Sequence, residues 1–123
     1  MDALTEIAGT RQIPGEPPRR WFASRSLDLI VWLDGSGAPV GFQLCYDKTR
    51  SEHALTWTPE AGYSHHAVDD GESGDSRYKR TPVLVEDGHF DAARVSDLFA
   101  RASVKLPREV ADFVGAKLRE QSR

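Results

Sequence analysis

The sequence predicts an α+β domain: an antiparallel β-meander sheet of about four or five strands, with two C-terminal helices packed on one face. Three observations carry that expectation. Residues 27–68 hold short apolar runs that alternate at period two. Turns rich in glycine, proline and aspartate separate those runs. After residue 90 the apolar spacing changes to that of an amphipathic helix.

Leu27, Leu29, Val31 and Leu33 fall on one face of a first strand, and Asp28, Ile30 and Trp32 on the other. Asp34-Gly35-Ser36-Gly37 turns the chain. Pro39 opens a second strand, where a missing N–H is tolerated. Val40, Phe42, Leu44 and Tyr46 alternate with Gly41, Gln43, Cys45 and Asp47, completing a β-hairpin, and Asp47-Lys48 turns out of it. His53 to Trp57 predicts a third strand, Tyr63 to Val68 a fourth and Thr81 to Val85 a last one, with a polar loop over 69–76.

Asp91 is placed to cap a helix by accepting from its first free N–H groups, and Phe90 and Val95 occupy staple positions around it. Val95, Leu98, Phe99 and Ala102 form its apolar stripe. Pro107 suits the first turn of a second helix, whose stripe is Val110, Phe113, Val114 and Leu118.

Residues 1–20 carry Pro14, Gly15, Pro17 and Pro18 and predict an irregular N-terminal arm, with at most a short helix over 2–8. Residues 21–123 then form the single α+β domain. The chain's 123 residues are one domain by length. A domain of this size buries about two-thirds of its unfolded surface. Arg19-Arg20-Trp21-Phe22 is expected to close one end of the core while the arginines stay wet.

The formal net charge of −3 argues against a general nucleic-acid binder, which needs Lys and Arg to neutralise phosphates. Cys45 is the only cysteine, so an intramolecular disulfide is excluded. No secretory leader pattern and no apolar run of membrane-spanning length is present, so a reducing bacterial cytoplasm is the expected location. Phosphate-cradling glycine loops, a Gly-x-Ser-x-Gly elbow, HExxH and paired-cysteine zinc spacing are absent.

The densest group of proton-moving or metal-ligating side chains lies in Gly62–Glu72. His65 and His66 are adjacent and must point to opposite faces of a strand. His65 then shares a side with Asp69, and His66 with Asp70. Either pair can act as acid–base couple or as two metal ligands, with His53 or Glu72 as a third. The simpler reading is one histidine hydrogen-bonded under the sheet and one solvated.

The acidic loop Asp69–Asp75 fails the EF-hand pattern and predicts a solvated turn. Arg77, Lys79 and Arg80, with Tyr78 among them, are candidates for an anion-binding patch or for neutralising that loop. Cys45 is expected to behave as a small buried hydrophobe rather than as a nucleophile.

Trp21-Phe22, Asp28-Leu29-Ile30-Val31-Trp32, Gly41-Phe42-Gln43-Leu44-Cys45-Tyr46-Asp47-Lys48, Ser64-His65-His66 and Val68-Asp69-Asp70-Gly71-Glu72 together resemble a family of small bacterial proteins with no assigned activity. The resemblance runs from about residue 19 to the last helix. It implies a free-standing bacterial domain and supplies no catalytic residue, substrate or cofactor.

Three functions follow in order of expectation. The first is a non-catalytic binding or interaction domain of unknown ligand, with Ile30 and Trp32 needing cover from the helices, the N-terminal arm or a second copy in a homodimer. The second is a small hydrolase or metal-dependent enzyme built on His65 or His66 with Asp69 or Asp70. The third is recognition of an anion or single-stranded nucleic acid by Arg77–Arg80 with Arg19 and Arg20.

Overall fold

The computed structural model describes residues 2–48, 52–68, 84–86 and 91–121. The expected α+β architecture is present. Among the described residues, seven strands form one sheet in sequence order: β1 (Thr5–Glu6), β2 (Arg19–Ala23), β3 (Asp28–Leu33), β4 (Pro39–Tyr46), β5 (His53–Thr58), β6 (Gly62–Val68) and β7 (Leu84–Glu86). Every neighbouring pair is antiparallel, so the sheet is a pure meander.

β3 to β6 are the strands that alternation predicts; β7 overlaps the expected last strand at Leu84 and Val85, while Thr81 to Val83 lie outside the described residues. β1 comes from the arm expected to be irregular, and β2 begins at the end of that arm and continues through Trp21, Phe22 and Ala23. In place of a helix over 2–8, Thr5 and Glu6 pair with Ala23 and Phe22. The proline-rich stretch after them is a connection that returns the chain as β2. Gln12 finishes that edge by mimicking a strand: its amide nitrogen donates to the Arg19 carbonyl, and its oxygen accepts from the Arg19 N–H, both at 2.9 Å.

Turn chemistry fixes the β3–β4 hairpin. The Asp34 carboxylate accepts from the N–H groups of Ser36 (2.8 Å) and Ala38 (3.0 Å), and Gly37 takes φ +90°. A register shift sits between Trp32 and Leu33, beside this turn.

α1 (Ala92–Ala102) starts where Asp91 accepts from the Arg94 N–H at 3.2 Å. Phe90, the other half of the expected staple, lies outside the described residues. A 3-10 turn over Ser103–Lys105 leads to Pro107 and α2 (Arg108–Gln121). The Pro107 carbonyl accepts from the N–H groups of Val110 and Ala111, which opens α2 at the proline.

Both helices pack on one face. Val95, Phe99 and Ala102 of α1, and Val110, Val114 and Leu118 of α2, meet Phe22, Leu29, Val31, Phe42, Leu44 and Leu55. Burial of side chains of this kind is worth about 1.5–3 kcal/mol each, before conformational entropy is subtracted. Phe113 stands edge-on to Phe42 and Trp57, with ring centroids at 6.3 and 5.8 Å. Lys117 Nζ sits 3.9 Å from the Trp57 ring centroid, a cation–π contact at the rim.

The opposite face is also covered. Ile30, Cys45 and Ala54 are buried within the single chain, and Trp32 is half-buried. Arg19 is buried on this face and sits 3.7 Å from Glu16, instead of remaining wet. Asp28 is buried there too, and accepts from Lys48 Nζ at 3.0 Å.

Candidate functional site

Strand register decides the fate of the histidines. Leu55 pairs with His65 and Ala54 with His66, so His65 faces the helices and His66 faces away. The expectation that adjacent histidines separate is met, and no single metal ion can be shared between them across the sheet. His53 pairs with Tyr46 on one side and Ala67 on the other, which puts it on the His65 face.

Three flat rings gather there. Tyr46 and His53 have centroids 5.8 Å apart with planes at 19°. His53 and His65 are 5.4 Å apart at 10°, and Tyr46 and His65 are 5.9 Å apart at 10°. Tyr46 sits on β4 and His65 on β6, two strands away. The Tyr46 hydroxyl and His65 Nε2 are nonetheless hydrogen-bonded, across β5. Tyr46 is buried, while His53 and His65 keep part of their surface open.

A charged pair borders the rings. Arg94 of α1 donates to both Asp47 carboxylate oxygens, at 3.2 and 2.8 Å. Its guanidinium carbon stands 5.8 Å from the Tyr46 ring centroid. The Asp47 hydrogen bond pushes the Arg94 pKa further up, so this charge is fixed. Asp47 adopts φ +56°, the left-handed conformation that the exit from β4 requires and that aspartate tolerates.

His66 occupies the other face, in one cross-strand row with Asp28, Cys45, Ala54 and the Glu86 position. Its Nδ1 is shut off from solvent and hydrogen-bonds no described residue. Cys45 is buried, and the Gln43 amide nitrogen lies 3.7 Å from its sulfur. Cys45 and Tyr46 point oppositely, so the sheet separates the thiol from His53 and His65. From His66 it is separated by the whole of β5, about 10 Å between backbones. A nucleophile–base pair needs hydrogen-bond reach.

Of the candidate residues, His53 and His65 come together and His66 does not. Asp69, Asp70 and Glu72, and the anion-binding candidates Arg77, Lys79 and Arg80, lie outside the described residues. Tyr46, Asp47 and Arg94 are the members that sequence reasoning missed. Tyr46 had the right face parity, but nothing local marks a hydroxyl that reaches across a strand. Arg94 lies 47 residues from Asp47 in the chain. Among the described residues, no three His, Cys, Asp or Glu side chains converge as a metal-ligating group. Among them, no helix is long and apolar enough to cross a membrane.

Comparison with known proteins finds no matching family model, no matching curated protein and no matching solved structure.

Proposed function

We propose that this chain is a non-catalytic binding domain of the bacterial cytoplasm, with a recognition surface centred on His53 and His65 and bordered by Arg94. The observation that carries this reading is the ring cluster itself: Tyr46, His53 and His65 lie within 6 Å of one another beside the Arg94–Asp47 pair. Half-open, rigid aromatic groups next to an arginine are the composition of a binding hot spot. The hydrogen bond between Tyr46 and His65 and the stacking of these rings with His53 pre-order the surface, which lowers the entropy lost on binding. Ile30 is already buried within the single chain, so this reading needs no second copy to cover it.

The test is a histidine-detected NMR titration with acidic, basic and aromatic hexapeptides, run beside turnover assays on nitrophenyl acetate and nitrophenyl phosphate. Saturable shifts confined to His53, His65 and Arg94, lost in His53→Ala/His65→Ala, support binding. Turnover that disappears in His65→Ala or His66→Ala would overturn it, in favour of a small hydrolase using His65 or His66 with Asp69 or Asp70.

A further inference from the structure

We propose that His53 and His65 form a two-histidine site for a divalent transition metal ion of the copper, nickel or zinc class. The two residues stand on neighbouring strands of one face, His65 two positions before the partner of His53. That diagonal keeps backbones about 7–8 Å apart and lets long side chains meet. An ion bound tetrahedrally by two imidazole nitrogens at about 2.0–2.1 Å holds the ring centroids about 5 Å apart. The observed centroid separation is 5.4 Å.

The rings are at the right separation but nearly parallel, at 10°. Converging their nitrogens on one point takes rotation about χ2, a soft torsion in histidine. The ion must also displace the Tyr46 hydroxyl from His65 Nε2. Tyr46 therefore acts as a competitor that holds the metal-free arrangement. Water completes the coordination sphere, which makes the site open and exchangeable rather than a closed structural centre. Imidazole donors favour copper, nickel and zinc over magnesium and calcium, whose preferred ligands are oxygens.

This site shares residues with the proposed recognition surface and stands without it. Metal and peptide are added in separate titrations, so either proposal can fail alone.

The experiment uses untagged protein and NiCl₂, CuCl₂, ZnCl₂ and MgCl₂, followed through the imidazole signals of all four histidines. The expected result is saturable loss of the His53 and His65 signals with nickel and copper, while His66 responds only at higher concentration and magnesium has no effect. His53→Gln or His65→Gln lowers nickel affinity about tenfold or more, and His66→Gln leaves it unchanged. Tyr46→Phe, which keeps the ring and removes the competing hydroxyl, tightens nickel several-fold. Equal response of His66, unchanged affinity in His53→Gln and His65→Gln, or weakening in Tyr46→Phe would each overturn the proposal. Amide spectra of every variant confirm that the sheet is intact, and Tyr46→Phe gives an answer of opposite sign to any unfolding effect.

Discussion

The Tyr63 hydroxyl on β6 lies 2.8 Å from a carboxylate oxygen of Glu120, near the end of α2, and 2.9 Å from the Lys117 carbonyl. One hydroxyl proton thus ties the sheet to the last helix turn. Burial, reinforced by the acceptor Glu120, pushes the Tyr63 pKa up to about 12. The folded state holds this proton more tightly than the unfolded state, whose tyrosines ionise near pH 10. Above that pH the unfolded state binds fewer protons, so stability falls as pH rises from about 10 to about 12. Tyr63→Phe should lower stability at neutral pH by about 0.5–1.5 kcal/mol. It should also remove a tyrosine that ionises near pH 12 from an absorbance titration. An unchanged titration curve in Tyr63→Phe would contradict the assignment.

The N-terminal segment is a strap with three anchors. The Asp2 carboxylate accepts from the Arg25 N–H at 2.7 Å and from the Ser26 hydroxyl. Leu4 is fully buried, and its N–H donates to the Ala102 carbonyl at 2.9 Å. Glu6 accepts from two nitrogens of Arg20, at 2.8 and 2.6 Å. Leu4→Ala should therefore cost about 2–5 kcal/mol, a core-sized loss, in a urea titration. A loss under half a kcal/mol would mean a frayed arm.

The two strap carboxylates make the same segment acid-sensitive. The Ser26 hydrogen bond holds Asp2 below the usual carboxylate range, and the Arg20 hydrogen bond does the same for Glu6. Their contribution is complete above the ordinary carboxylate pKa and is lost as pH falls through the lowered folded values. Amide exchange at Leu4 should speed up, relative to β3 amides, as pH falls through that range. Parallel behaviour of the two sets would count against a separately released strap.

Why some of this was legible and some not follows from range. Period-two alternation in Leu27 to Tyr46 and the Asp34–Gly37 turn are local signals, and they place β3, β4 and the apolar side facing the helices. Asp91 and Pro107 likewise mark the helix starts. The arm failed because its prolines obscure a two-residue strand and because Asp2 and Leu4 are held by Arg25, Ser26 and Ala102, far along the chain. Arg19 was expected in water, since no local rule anticipates an arginine under a sheet. Face parity separated His65 from His66 correctly. It could not show that Tyr46 joins His65 from two strands away, because strand order and lean are tertiary facts.

Gly41 illustrates a constraint invisible to propensity. Its partner on β3 is Trp32, and a Cβ built at Gly41 would meet the Trp57 carbonyl oxygen at 3.0 Å and the Trp32 ring at 3.4 Å. The carbonyl belongs to the backbone of β5 and cannot swing aside. Gly41→Ala should therefore destabilise by about 1–3 kcal/mol, although alanine is no worse a strand former in general. Thermal unfolding of Gly41→Ala beside Gly35→Ala, where the same atom meets nothing within 4 Å, separates the close approach from generic glycine effects. Equal melting temperatures would refute the steric account.

Ion pairs in this fold differ in worth according to burial. Lys48 Nζ lies 3.0 Å from Asp28 Oδ1 and 3.0 Å from the Ser24 carbonyl, and the Asp28 side chain is 7% exposed. Arg101 and Asp97 on α1 are equally close, at 3.0 Å, but 77% and 60% exposed. Distance alone would rank the two pairs together. Solvent screening ranks them apart, because exposed i,i+4 pairs contribute only about 0.3–0.5 kcal/mol and fade with salt. Asp28→Asn should cost about 1–3 kcal/mol, since a buried charge-assisted bond and its acceptor geometry are lost together. Most of that loss should persist when sodium chloride is raised. Asp97→Asn should change stability by less than about 0.5 kcal/mol, and by nothing measurable at high salt. Denaturant titrations of both variants at two salt concentrations decide the matter: an Asp28→Asn effect that vanishes with salt would place the pair in solvent rather than under the sheet.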